Sequence, residues 1–159
     1  MKPSHFLRIA SAIALLFALG HTLGAMESWS PQGETPVLAQ MKSFRFDAMG
    51  VSRTYWDFYF GFGLLISVFL LLQAVVLRQL TSIALSEPTR VRPLVGSFFV
   101  ASVASALLIW KFIFTVPVLF SIAISICLGL AFFTLPRARQ VSMADQFGLR
   151  GQSKVMDGS

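Results

Sequence analysis

His21, Arg53, Asp57 and Lys111 are the residues whose types and spacing could do chemistry in this sequence. His21 closes one long apolar run, Asp57 opens a second, and Lys111 interrupts a third beside Trp110. Folded as antiparallel helices, those runs bring an imidazole, a carboxylate and two cations to similar depth at one rim. A His21–Asp57 pair there would supply the two titratable groups that acid–base work on a lipidic substrate requires. Around Asp57, residues 55–62 hold six aromatics in eight positions. An interfacial belt needs only the lipid-facing rings, so the surplus is available to line an apolar pocket beneath the polar rim. The expected ligand-binding set is His21, Arg53, Tyr55, Trp56, Asp57, Tyr59, Trp110 and Lys111.

Each titratable residue also has a structural use. Thr54-x-x-Asp57 has the form of a capping box, with Thr54 as N-cap and the carboxylate reaching back. His21 lies about 20° round a helix from Ala10, within the row Ala10, Ala14, Ala18, where an imidazole can bond a neighbouring helix. These uses need no catalysis, so the sequence leans towards a non-catalytic protein, with His21 and Asp57 as weak catalytic candidates.

Other chemistries are set aside. Cys127 is the single cysteine, which leaves no intramolecular disulfide, dithiol or zinc framework. His5 and His21 are sixteen residues apart, about 24 Å along one helix, and cannot clamp one haem. A metal site would have to draw on His21 with Glu27, Glu34, Asp47 and Asp57, and their spacing does not favour one. Neither a metal nor a cofactor is expected. No acidic residue lies mid-run for proton coupling, and phosphate loops and nucleophile elbows are missing.

The elements that must position these residues follow from hydropathy. The 159 residues are 55% hydrophobic and 13% charged, about half the charge of a soluble domain, with a mean hydropathy of +0.73. The net charge of +6 lies in flanks of apolar runs, which points to membrane orientation and away from nucleic acid. Residues 6–23 and 55–77 are each long enough to span a bilayer. Residues 94–135 would run about 63 Å as one helix, twice the hydrocarbon core, and must fold back. Trp110, Lys111 and Pro117 mark the turn, giving spans 94–115 and 118–135.

Four spans divide the basic residues into Lys2, Arg8, Arg78, Arg90, Arg92, Arg137, Arg139, Arg150 and Lys154 on one side and Lys42, Arg45, Arg53 and Lys111 on the other. That nine-to-four division predicts both termini in the cytoplasm. Residues 1–25 also have the outline of a signal peptide, although Leu23 suits a cut after Ala25 poorly. Loss of that segment would leave the other spans oriented alike.

The sequence thus predicts an all-α, integral-membrane four-helix bundle, one domain over 1–159. In the outer loop, 24–54, Thr35 and Pro36 start a short amphipathic helix and Gly50 stops it. Val37, Leu38, Met41, Phe44 and Ala48 form its apolar face, widened by Phe46 and Met49. Ser86-Glu87-Pro88 punctuates an inner loop, 78–93, and 136–159 form a cytoplasmic tail. Small-residue rows, Ala10/Ala14/Ala18, Ser97/Ala101/Ser105 and Ser121/Ser125/Gly129, are the expected helix contacts.

The segments Gly20-His21-Thr22-Leu23-Gly24, Phe44–Gly50 and Arg53-Thr54-Tyr55-Trp56-Asp57-Phe58-Tyr59-Phe60-Gly61-Phe62-Gly63 resemble a family of small bacterial four-span membrane proteins. The resemblance covers the first half of the chain, implies a multi-pass protein of the bacterial inner membrane, and carries no activity across. The four-span plan is also similar to that of DoxX-like proteins, in architecture alone. The expected function is binding of a lipid-like or apolar molecule, or of a partner helix, at the outer-leaflet side. Expected partners are membrane lipids, partner transmembrane helices or a second copy of the chain. The rivals are the membrane enzyme described above and a structural subunit of a larger complex.

Overall fold

The computed structural model describes residues 2–26 and 32–137. The expected tail lies outside the described residues beyond Arg137. Among the described residues four helices are long and apolar enough to cross a membrane: α1 (Pro3–Met26), α3 (Tyr55–Ser86), α4 (Pro88–Phe112) and α5 (Thr115–Thr134). A short α2 (Pro36–Ser43) and two strands, β1 (Arg45–Ala48) and β2 (Val51–Thr54), lie between α1 and α3. The protein is an all-α membrane bundle carrying a small cap.

α1 is the centre of the bundle, packed against both α3 and α5; α4 packs on α5 and only brushes α3. Lipid provides no hydrophobic force between helices, so close approach of backbones must hold them. The α1 row supplies it, because Ala10 and Ala14 are wholly buried and Ala18 nearly so. Leu7, Leu77 and Leu128 fill the remaining space from α1, α3 and α5. The row Ser121, Ser125 and Gly129 is also buried. Two long-range polar contacts tie the helices at mid-depth: Ser11 donates to the Ala74 carbonyl at 2.8 Å, and Gln73 Nε2 to Ser102 Oγ at 3.4 Å.

The row Ser97, Ala101 and Ser105 does not make the expected contact and is exposed. α4 instead buries Val91, Val95 and Ser102 and meets α5 through two reciprocal glycine–phenylalanine contacts. A Cβ at Gly96 would stand 2.9 Å from Phe132 Cε2, and one at Gly129 would stand 3.0 Å from Phe99 Cε2. Each glycine receives a ring from the facing helix, an interlock that outcompetes a simple row of small residues.

The cap differs from the expected single helix. Thr35 does cap α2, its hydroxyl accepting from the Leu38 amide at 3.2 Å, with Pro36 in the first turn. The helix ends at Ser43, and residues 45–54 pair as an antiparallel hairpin with Ala48 opposite Val51. Met49 and Gly50 form its two-residue turn with φ of 56° and 85°, the left-handed pair that matches the twist of a tight hairpin. Asp47 Oδ1 accepts from the Gly50 amide at 2.8 Å and closes the turn. Gly50 therefore ends a turn, and the period over Arg45-Phe46-Asp47-Ala48 is two, with Phe46 and Ala48 more buried than their neighbours.

The expected inner loop is helical except for Glu87. Pro88 opens α4, a position where its missing N–H costs nothing, so the breaker signal marks one residue of interruption. At 32 residues, α3 is about 48 Å long, some 18 Å more than the hydrocarbon core. The α4–α5 turn falls at Ile113 and Phe114, and Pro117 sits in the first turn of α5.

Candidate functional site

The polar residues expected at one rim make three separate sets of local contacts. At the head of α3, Thr54 and Asp57 form the full capping box: Asp57 Oδ2 accepts from the Thr54 amide at 2.8 Å, and Thr54 Oγ1 from the Asp57 amide at 3.1 Å. The carboxylate and the Thr54 hydroxyl thus each satisfy one backbone donor that the helix cannot. Arg53 and Arg45 place positive charge near Asp57, and the Arg53 guanidinium donates to the Ser52 carbonyl at 3.2 Å. Arg53 therefore acts on Asp57 from within the cap.

His21 lies elsewhere. Its Nδ1 is 3.0 Å from Ser67 Oγ on α3, and Phe17 meets the imidazole edge-on. Ser67 is ten residues along α3 from Asp57, about 15 Å, so the structure does not bring His21 to Asp57. The physical reason is that α3 begins well above the end of α1, lifting its first turns into the cap. The expected His21–Asp57 pair is replaced by a His21–Ser67 contact between α1 and α3. Lys111 sits at the far end of α4, its ammonium 5.1 Å from the ring of Phe112, beside an exposed Trp110.

The aromatic run resolves into two stacks. Phe44 lies on Tyr55, Tyr55 against Phe46, Phe46 on Phe58, and Phe58 near Phe62, with centroid separations of 6.0, 4.8, 5.8 and 6.2 Å. This ladder runs from the hairpin down the first two turns of α3, and Phe44, Tyr55, Phe58 and Phe62 are each 41–60% exposed. The second stack, Trp56 with Tyr59 and Phe60, carries the Lys42 ammonium 5.1 Å above Trp56. Lys42 is also paired with Glu34, which ties α2 to the head of α3.

No family model, curated protein or solved structure matches this chain.

Two open grooves lie on the α4–α5 side. One of about 510 Å³ is lined by Phe99, Val103, Ile122, Ile126 and Phe133 among others; another, of about 720 Å³, is lined by Gly96, Val100, Ala104 and Phe132 among others. Neither includes a residue of the expected site. Among the described residues no three of His, Cys, Asp and Glu come together.

Sequence reasoning named Tyr55, Trp56 and Tyr59 but missed Phe44 and Phe46 as the rings that complete the ladder, and Ser67 as the partner of His21. Gly63 and Ser67, four apart and both buried, are a small-residue pair on α3 that would have pointed to Ser67.

Proposed function

We propose that this protein is a non-catalytic, multi-pass protein of the bacterial inner membrane that binds a lipid-like, apolar molecule at its outer-leaflet side. The observation that carries the reading is the exposed ladder Phe44–Tyr55–Phe46–Phe58–Phe62. Rings offer large apolar area at small entropy cost. Here the hairpin braces them at the head of α3, an arrangement suited to an acyl chain or isoprenoid tail. Arg53, with Arg45, supplies positive charge beside the uppermost rings, suited to the polar end of such a molecule.

Photo-crosslinking tests this. A diazirine-bearing lipid analogue should label peptides containing Phe44–Phe62 in native membranes, and Phe44→Ala with Phe58→Ala should remove most of that label. Uniform labelling of all four spans, unchanged in the variant, would overturn the reading.

The rival reading is a membrane enzyme. A His21–Asp57 acid–base pair has the two groups about 15 Å apart along α3, which disfavours it. The contact between Ser67 Oγ and His21 Nδ1 favours a different version, a hydroxyl beside a base. A serine-directed fluorophosphonate should leave Ser67 unlabelled under the binding reading; labelling that disappears in Ser67→Ala would support the enzyme.

A further inference from the structure

We infer that the end of the bundle opposite the hairpin holds an anionic phospholipid, its phosphate on Arg92 and one acyl chain along the groove of α4 that begins at Phe132. This site is independent of the outer-side reading.

Charge is the first argument. Among the described residues that end carries Lys2, Arg8, Arg78, Arg90, Arg92 and Arg137 against a single acid, Glu87. Glu87 is already taken, since its carboxylate lies 2.7 Å from Arg90. Arg92 has no ion pair among the described residues. Its guanidinium carbon lies over Phe132, 4.1 Å from the ring centroid, and its Nε is covered without a hydrogen-bond acceptor there. Covering part of a cation in this way costs desolvation that a ring face offsets only partly. The contact with the ring also restricts the side chain, so less entropy is lost when its planar fork takes a phosphate through two parallel bonds.

The groove is the second argument. It starts at Phe132, the ring beneath Arg92, and continues up α4 past Gly96, Ser97, Val100, Ala101 and Ala104. From Pro93 to Ala104 is eleven residues, about 16 Å, against about 15 Å for half of a 30 Å hydrocarbon core. Cation and groove therefore follow one another in the order and over the depth of a headgroup and one leaflet of chain. A free anion would use the guanidinium and leave the groove; a partner helix would use the groove and leave the guanidinium.

Native mass spectrometry of the full-length protein in neutral detergent tests the site, with dioleoylphosphatidylglycerol, dioleoylphosphatidylcholine and inorganic phosphate as probes. Phosphatidylglycerol should be retained about tenfold more tightly than phosphatidylcholine, the scale of one charge-assisted contact. Arg92→Gln should reduce it to the phosphatidylcholine level, with Arg92→Lys intermediate and Arg90→Gln close to wild type. Val100→Trp, which fills the groove at an exposed position, should weaken both lipids. Equal retention of the two lipids would overturn the proposal, as would losses in Arg90→Gln matching those in Arg92→Gln. Displacement of phosphatidylglycerol by millimolar phosphate would also overturn it, by showing that the groove contributes nothing. Should Arg92→Gln fail to fold, Arg92→Lys and Val100→Trp decide the question by the same criteria.

Discussion

Replacing Gly96 with alanine should destabilise the bundle relative to the same change at Gly61, and the structure sets the size of the difference. A Cβ at 96 would lie 2.9 Å from Phe132 Cε2 and 3.2 Å from Cδ2, against roughly 3.5–4.0 Å for a relaxed carbon contact. The ring cannot retreat freely, because Arg92 lies on its face and Phe133 meets its edge. Overpacking of this kind costs about 1–3 kcal/mol. A Cβ at Gly61 would meet nothing within 4 Å, so only the helix preference for alanine over glycine, about 1 kcal/mol, acts there. Both substitutions gain that preference, and their difference isolates the contact. At roughly 2–4 °C per kcal/mol for a chain of this length, Gly96→Ala should unfold at least about 2 °C below Gly61→Ala in detergent. Adding Phe132→Leu to Gly96→Ala should cost less than Phe132→Leu alone. Equal midpoints for the two alanine variants, or strict additivity with Phe132→Leu, would refute the interlock.

Three further outcomes follow from the geometry. In a double-mutant cycle His21→Ala and Ser67→Ala should couple by about 0.6 kcal/mol, the average for hydrogen bonds between membrane helices, whereas His21→Ala and Asp57→Asn should be additive. Met49→Asn should stabilise the hairpin by about 1 kcal/mol, because Met49 occupies the left-handed region, which asparagine tolerates through its short polar side chain and methionine does not favour; protease resistance of the cap reads this out. For the orientation, a cysteine at Gln32 should react with an impermeant thiol reagent in intact cells while one at Ser86 stays protected, and the reverse pattern would invert the bundle.

The four long helices were legible because a bilayer demands some twenty apolar residues in a row, and little else in a sequence produces that pattern. The alanine row of α1 and the Thr54–Asp57 box were legible for a related reason: each is a local, helix-periodic signal that tertiary structure had no cause to override. The hairpin was not, since two four-residue strands contain too few alternations to outvote a helix-spaced set of apolar residues, and Gly50 suits a helix stop and a tight turn equally. The partner of His21 was missed because depth was measured from the ends of apolar runs. That measure fails when one helix is longer than the hydrocarbon core, as the 32-residue α3 is. The contact face of α4 was misassigned because glycine accepting a ring and small residues accepting a backbone look alike in one sequence; only the facing helix distinguishes them.

The most direct test of the outer-side binding account is a high-resolution electron-microscopy map of the protein in nanodiscs made from native lipid. The account predicts ordered, tail-shaped density lying against Phe44, Phe46, Phe58 and Phe62, with its polar end near Arg53. A ladder facing only featureless lipid, or covered by a helix of another protein, would contradict it.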